Sequence, residues 1–322
     1  MQVYNNIMET IGNTPVVRIN RIAGKDDSIF GKLEFFNPGG SIKDRMAYYI
    51  MENAERSGEL RDKIVENSSG NTGAAIAMIS AVRGKKAIIT IPDKMSSEKI
   101  NLMKAFGAEV VITKTDVPYD SPESYYSVAR RISEETGAYY PDQYNNPMNI
   151  RCHYETTGPE IWRQMDGKID VLVAGIGTGG TISGIGKFLK EKNPEVKIIG
   201  VDPEGSVFYN YFKEGKIIKP HVYKVEGIGE DYLVRAVDFS VIDDIVQVND
   251  RESFLMARRL AREEGIFAGG SSGSAMFAAM KIAPEFRGKN IVVIFPDSGY
   301  RYLSKIYSDE WMMNNNFMEV NK

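Results

Sequence analysis

The chain has 322 residues and a formal net charge of −3, enough length for two hydrophobic cores and too balanced a charge to suggest a nucleic-acid partner or a charged tail. Cys152 is the only cysteine, and His153 and His221 are the only histidines, which excludes an internal disulfide and argues against a Cys/His zinc site. No apolar run is long enough to span a bilayer, and the opening Met1-Gln2-Val3-Tyr4-Asn5-Asn6 lacks the basic-then-apolar order of a signal peptide, so a reducing cytoplasm is the expected home.

Apolar runs alternate with helical periodicity, the pattern of an α/β chain with mainly parallel sheets. In chain order the pattern predicts strand 64–66, helix 72–83, strand 87–91, helix 97–106, strand 109–113, and helices 122–136 and 150–165. It continues with strand 171–175, helix 181–192, strands 198–202 and 245–248, helices 251–264 and 274–283, strand 291–295 and helix 302–314. Gly84, Gly107, Gly137 and Gly265 fall just past predicted helices, where a left-handed residue is useful. There is no internal repeat and no low-complexity linker, so composition marks no domain boundary. Cys152 and His153 are neighbours that point about 100° apart on a helix; they make a poor nucleophile–base pair and read as structural.

Three short segments carry the chemistry. In Asn37-Pro38-Gly39-Gly40-Ser41-Ile42-Lys43-Asp44-Arg45, the glycines let backbone pass close to a flat ring, and Lys43 offers an amine that reacts once it is partly desolvated. Alone, such a lysine is an ordinary surface residue. Ser68-Ser69-Gly70-Asn71-Thr72-Gly73 follows a strand and opens a helix, whose unpaired N–H groups and partial positive charge suit a carboxylate. A plain N-cap turn has the same composition. Gly177-Thr178-Gly179-Gly180-Thr181 is a glycine loop able to grip one phosphate through backbone N–H groups.

With Gly175, that loop also matches the G-x-G-x-x-G dinucleotide pattern, and Asp202 ends the next predicted strand where a ribose-binding acid would lie. A nicotinamide-dependent oxidoreductase is therefore the rival reading, but it leaves Lys43 and residues 68–73 without a role. A P-loop fails, because Lys187 is followed by Phe188. An amine, a carboxylate-sized helix start and a phosphate-sized loop together suit a cofactor with a reactive aldehyde and a phosphate, which describes pyridoxal phosphate.

Taken in order, these segments resemble the fold-type II pyridoxal-phosphate enzymes, the group of cysteine synthase, cystathionine β-synthase and threonine dehydratase. The resemblance runs from Ile11-Gly12-Asn13-Thr14-Pro15 to Ser308-Asp309-Glu310-Trp311. Gly200-Val201-Asp202-Pro203-Glu204-Gly205-Ser206, Glu226-Gly227-Ile228-Gly229 and Gly269-Gly270-Ser271-Ser272-Gly273-Ser274 look most like the catalytic core of cystathionine β-synthase. The resemblance implies a two-domain α/β fold of the tryptophan synthase β type, each domain an open, mainly parallel sheet flanked by helices. Residues 42–146 would form a smaller mobile domain, residues 1–41 plus 147–322 a larger cofactor-binding one, with the cofactor in the cleft.

Carried onto this sequence, the resemblance makes Lys43 the residue that holds the cofactor and moves the substrate's α-proton. Asn71 would contact the ring hydroxyl, Gly177, Thr178, Gly179, Gly180 and Thr181 the phosphate, and Ser271 the ring nitrogen. Ser68, Ser69, Gly70, Asn71, Thr72, Gln143 and Gly227 would take the substrate. Two positions depart from the pattern. Ser68 stands where the family often has threonine. Glu230 stands where relatives place a small residue or tyrosine near the substrate's β-carbon. With Asp231 beside it, Glu230 reads either as a solvated loop acid or as a carboxylate serving the second substrate, by binding its ammonium group or by activating a thiol or water.

The implied function is β-replacement on serine, an O-acylated serine or cysteine, with a thiol or sulfide acceptor and through an aminoacrylate, in the manner of cystathionine β-synthase or cysteine synthase. A cysteine-using, sulfide-releasing lanthionine synthase or cysteine lyase is the near alternative; a catalytically silent scaffold of the same fold is another. The expected partners are small-molecule amino-acid and thiol substrates and a second copy in a homodimer, with no metal, nucleic acid or membrane. The vertebrate cystathionine enzyme carries a haem segment and a regulatory module for which 322 residues leave no room, so regulation by those routes is not expected.

Overall fold

Two separate sheets organise the molecule. The structure is a computed structural model that describes residues 3–25, 27–115 and 117–319; Met1 and Gln2, read above for a leader, lie outside it. The larger sheet has six strands in the order β1-β2-β9-β6-β7-β8 and the smaller has three in the order β3-β4-β5. In the larger sheet β1 (Val16–Arg18) runs antiparallel to β2 (Ser28–Leu33). The other pairings are all parallel, including those within the small sheet of β3 (Lys63–Asn67), β4 (Lys86–Pro92) and β5 (Glu109–Thr113).

The large sheet is buried on both faces, as parallel sheets are. In β6 (Val171–Gly175) and β9 (Asn290–Phe295), Val171, Val173, Ile291, Val293 and Phe295 enter one core, while Leu172, Ala174, Val292 and Ile294 enter the core on the opposite face. The same alternation splits β7 (Lys197–Pro203), with Ile199 and Val201 on one side and Ile198 on the other. A period of two with apolar residues at every position explains why these strands read as unbroken hydrophobic runs. β8 (Asp244–Val248) closes the far edge. A third core forms around the small sheet, with Ile64, Ile89 and Ile91 packed against Ala74, Ala77 and Met78.

Eleven α-helices complete the described residues. They are α1 (Lys43–Arg56), α2 (Asn71–Val82), α3 (Ser97–Ala105), α4 (Tyr125–Thr136), α5 (Met148–Cys152), α6 (Gly158–Gln164), α7 (Gly180–Lys192), α8 (Phe208–Glu214), α9 (Asp250–Glu264), α10 (Gly270–Ile282) and α11 (Asp309–Asn314). Several differ from the sequence expectation. α1, α8 and strands β1 and β2 were not anticipated, although Met46, Ala47, Ile50, Met51 and Ala54 give α1 a buried stripe at helical spacing. The predicted helix 150–165 is interrupted by a π turn at His153–Thr157, which ends two residues before Pro159, a residue with no N–H to continue the ladder. The predicted helix 302–314 is a turn followed by α11, which Ser308 caps by accepting from the Trp311 N–H.

α10 corrects the expectation in a way that bears on the site. The stretch Gly270-Ser271-Ser272-Gly273, which precedes the predicted helix start at 274, is its first turn. Gly273 is required there: a Cβ would meet Ser253 O and lie 2.7 Å from Ala257 N, so its absence lets α10 press against α9. Gly84, Gly107, Gly137 and Gly265 all have positive φ, as helix-terminating residues should.

Candidate active site

The predicted segments converge where strands end. The C-terminus of β6 leads through residues 177–179 into α7, that of β3 leads through 68–70 into α2, and that of β9 leads to Asp297. Open α/β sheets place ligands at such ends. An inner pocket is bounded by Lys43, Asn71, Gly177, Thr178, Gly179, Thr181, Gly227 and Ser271. It adjoins an outer pocket that shares Lys43, Asn71, Gly177, Thr178 and Gly227 and adds Ser69, Thr72, Gln143 and Glu230. Ser68, Gly70 and Gly180 line neither pocket.

Lys43 is the first residue of α1. The preceding turn is folded on itself: Gly39 N donates to Asp44 Oδ2 at 2.6 Å, and Gly40 takes φ +81°. Burial strips hydration from the Lys43 ammonium and lowers its pKa to about 8, although Glu230 and Asp297 pull the other way. A lysine poised near neutrality is a usable nucleophile and proton carrier.

The start of α2 is built around Ser68, whose Oγ accepts from Gly70 N and Gly73 N, both at 2.9 Å. Ser68 thus shapes the loop, and Gly70 supplies the φ of +126° that the turn needs. Asn71 is held at both ends of its amide. Arg301 Nη1 donates to its Oδ1 at 2.7 Å, and its Nδ2 donates to Asp297 Oδ2 at 2.8 Å. The second Nδ2 hydrogen is left to the pocket. Thr72 Oγ1 donates to Gln143 Oε1 at 2.6 Å, and Gln143 Nε2 donates to Asn67 O at 2.9 Å, which locks the orientation of that amide.

In the glycine loop, a Cβ at Gly177 would lie 2.6 Å from Gly227 O, and one at Gly180 would strike Asn149 Oδ1. Gly179 has φ +86°, with Ala236 O 2.6 Å from where a Cβ would stand. The loop is therefore a cradle that admits no side chains except the hydroxyls of Thr178 and Thr181. Ser271 is buried on the first turn of α10, facing the same inner pocket. Asp202, the acid a dinucleotide would require, is turned away: it is buried and accepts from Tyr209 N at 2.9 Å at the start of α8.

Glu230 stands among tyrosines. Tyr126 OH donates to its Oε2 at 3.2 Å, and the Tyr126 ring meets those of Tyr144 and Tyr232 edge-on at 5.3 and 5.7 Å. The residue keeps some exposed area, yet its carboxyl is desolvated enough to be pushed up to about 8, with Asp231 adding to the shift and Tyr126, Lys94 and Lys43 opposing it. A carboxyl so placed ionises readily only when a cation arrives beside it.

Several contributors escaped the sequence reading: Asp297 and Arg301 behind Asn71, Asn149 against the glycine loop, and the tyrosine cluster. Asp297 had a usable signal, since it follows the end of a predicted strand. The tyrosines had none, because they come from separate stretches around residues 125, 144 and 232.

The chain matches the family model described as pyridoxal-phosphate dependent enzyme over residues 7–297. It is 48% identical over 325 residues to cystathionine β-synthase of Rattus norvegicus, covering 99% of this chain and 58% of that one. It is 44% identical to cystathionine β-synthase of Saccharomyces cerevisiae, covering 98% of this chain and 65% of that one. The chain thus spans about three fifths of the length of these curated relatives. Among solved structures, the O-ureido-L-serine-bound K43A mutant of O-ureido-L-serine synthase superposes with a TM-score of 0.87 at 34% identity, covering 99% of this chain and 100% of that one. With the match spanning nearly the whole chain and both sheets, the chain belongs to the family of pyridoxal-phosphate dependent enzymes.

Proposed function

We propose that this enzyme catalyses β-replacement on a serine-type amino acid, with an amino-acid thiol as acceptor. The carrying observation is that two adjoining pockets, which share Lys43, Asn71 and Gly177, bring a lysine amine, a phosphate-sized cradle and a helix start beside an outer compartment containing Glu230. The residues fit the cofactor. Gly177 and Gly227 pack so closely that neither the loop nor its neighbour leaves room for a side chain at 177, and a cradle without side chains suits a phosphate. When bound, pyridoxal phosphate supplies an electron sink for charge developing at the substrate's α-carbon.

Lys43 Nζ would hold the aldehyde carbon of the cofactor and, once the substrate amine has displaced it, take the α-proton and later return it. The N–H groups at the start of α2, with Ser69, Thr72 and Gln143, would bind the substrate carboxylate. Asn71 Nδ2 would donate to the ring hydroxyl and Ser271 would meet the ring nitrogen. A hydroxyl there does not stabilise a protonated ring as a carboxylate would, which suits loss of a β-substituent more than transamination. Glu230 would take the ammonium group of the acceptor, and Lys94 and Lys114, which line the same outer pocket, its carboxylate. That charge arrangement favours homocysteine or a second cysteine over bare sulfide. Serine, an O-acylated serine or cysteine would serve as donor.

The similarity to cystathionine β-synthase and to O-ureido-L-serine synthase supports a synthase acting on serine-type amino acids. The separate three-stranded sheet supports residues 42–146 as a smaller mobile unit against 1–41 plus 147–322. Phe36, Tyr300 and Leu303 are exposed, Phe36 and Tyr300 along one groove, and support a homodimer. Among the described residues no helix is long and apolar enough to cross a membrane, and a cytoplasmic location remains our reading.

The test is product analysis with cysteine, serine and O-acetylserine, each with and without homocysteine. It should be paired with Glu230→Gln. The variant should release the donor's leaving group at near the normal rate but lose about ten- to a hundredfold in kcat/KM for the acceptor, the worth of one charge-assisted hydrogen bond. Unchanged acceptor kinetics would reduce Glu230 to a bystander; absence of any β-replacement product would overturn the reaction itself.

A further inference from the structure

The mechanism leaves Asp202 unused. It stands fully buried near the end of β7, before the turn 203–207 that leads into α8. Burial pushes its carboxyl up to about 7, and the Ser206 hydroxyl opposes that by hydrogen-bonding the charged form, as do the N–H groups of Tyr209 and Phe208. A buried acid that gathers a hydroxyl and two N–H groups ties the end of β7 to the turn and to the start of α8.

The same turn grips Glu230. Ser206 Oγ accepts from Glu230 N at 3.1 Å, and Val207 N donates to Glu230 O at 3.2 Å. Two successive, fully buried residues therefore satisfy both backbone polar groups of Glu230. The turn is itself fixed, since Ser206 N donates to Pro203 O at 3.1 Å and Gly205 takes φ +108°. Before Glu230 in the chain, Gly229 N donates to Ile176 O at 2.7 Å, and a Cβ on Gly229 would strike Pro203. Residues 229 and 230 are wedged between the end of β6 and the 203–207 turn.

A serine hydroxyl has one hydrogen and two lone pairs. One lone pair of Ser206 takes the Glu230 N–H, which leaves the hydrogen for the Asp202 carboxylate. The backbone of Glu230 is thus fixed from the large sheet, whereas its carboxyl meets Tyr126 of α4, a helix packed on the small sheet through Ala129 and Val65. Neither Asp202 nor Ser206 lines the inner or the outer pocket, so each acts on a ligand there through Glu230 and not by touch.

We propose that Ser206, seated by Asp202, is a positioning residue for the acceptor: by clamping the Glu230 backbone it fixes where the Glu230 carboxyl stands in the outer pocket. This rests on the reading that Glu230 takes the acceptor's ammonium group.

The test uses the holoenzyme with homocysteine as acceptor and whichever of cysteine, serine and O-acetylserine it consumes as donor. Donor consumption in a single turnover is read separately from kcat/KM for homocysteine. Ser206→Ala should consume donor at near the normal rate and lose about two- to tenfold in kcat/KM for homocysteine, the worth of one hydrogen bond. In the Glu230→Gln background the same substitution should add nothing. Equal slowing of both steps, or the same loss in both backgrounds, would mean a merely structural serine and would overturn the proposal. If Glu230→Gln leaves acceptor kinetics unchanged, the reading of Glu230 falls and takes this one with it. If Glu230→Gln weakens the acceptor step and Ser206→Ala does not, only the role of Ser206 falls. Should Ser206→Ala fail to fold, Asp202→Asn decides, because it keeps the shape and removes the charge that seats the hydroxyl. A loss confined to the acceptor step would support the clamp, and full acceptor efficiency would overturn it.

Discussion

At Lys43 the deciding quantity is hydration. An ordinary lysine amine is protonated until about pH 10.4, whereas burial brings Lys43 down to about 8. Only the neutral amine attacks an aldehyde, and a lowered lysine pKa means the neutral form appears at lower pH. Capture of pyridoxal phosphate by apo-protein should therefore accelerate with pH and level off with a midpoint near 8. A midpoint above 10 would show a solvated amine. Glu230 opposes the lowering, so Glu230→Gln should move the midpoint further down. Lys43→Ala should abolish turnover while leaving a noncovalent cofactor site, since the cradle and Asn71 are untouched; a fully active variant would remove Lys43 from the mechanism.

Among the elements, the glycine loop shows how backbone conformation becomes binding. Gly179 and Gly137 both adopt left-handed φ, +86° and +65°, one opening α7 and the other closing α4. Their surroundings differ. A Cβ at Gly179 would meet Ala236 O at 2.6 Å and Val237 Cα at 2.7 Å, while at Gly137 nothing lies within 4 Å. Gly137→Ala should cost about 1–2 kcal/mol of stability, the penalty of a left-handed alanine, and leave cofactor affinity unchanged. Gly179→Ala should carry the same backbone cost and also push the loop off residues 236–237, weakening cofactor binding by about tenfold or more, comparable to losing one hydrogen bond to a charged group. Equal cofactor affinities in the two variants would show that the loop relaxes around the added carbon.

Across the whole molecule, one buried ion cluster ties α3, beside the small sheet, to the segment that carries Gly227. Lys99 Nζ donates to Glu226 Oε2 and Lys305 Nζ to Glu226 Oε1, both at 2.6 Å, and the Lys99 ammonium lies 4.8 Å from the Tyr302 ring centroid. Burial alone would raise the Glu226 pKa, but Lys99 and Lys305 hold it below the usual carboxylate range. Lys99 is fully buried, so neutralising its partner strands a charge. Glu226→Gln should destabilise the protein by about 3–5 kcal/mol, the cost of breaking a buried pair from one side. It should also speed hydrogen exchange in α3 and loosen substrate binding at Gly227. An unchanged melting temperature with normal exchange in α3 would mean that the cluster relaxes without consequence.

The sequence by itself determined the alternation of strand and helix, the α/β class, the strands of the buried parallel sheets and the three segments that meet at the cleft. Each is a local property. Strands 109–113 and 171–175 were legible to the residue because both are short apolar runs bounded by clear breaks. α1 carried its periodicity but was hidden by the lysine motif at its start, and α10 was shortened because glycine and serine argue against a helix until Ser253 and Ala257 are seen packed on Gly273. Tertiary structure alone decided which side chains stand behind the motifs. Asp297 and Arg301 are more than 220 residues from the Asn71 they orient, and Tyr126 is 104 from the Glu230 it contacts. Asp202 looked like a ribose acid by spacing and proved to be buried at the start of α8. Spacing along a chain encodes period and turn chemistry, whereas desolvation and hydrogen-bond direction depend on what packs alongside, and no local window contains that information.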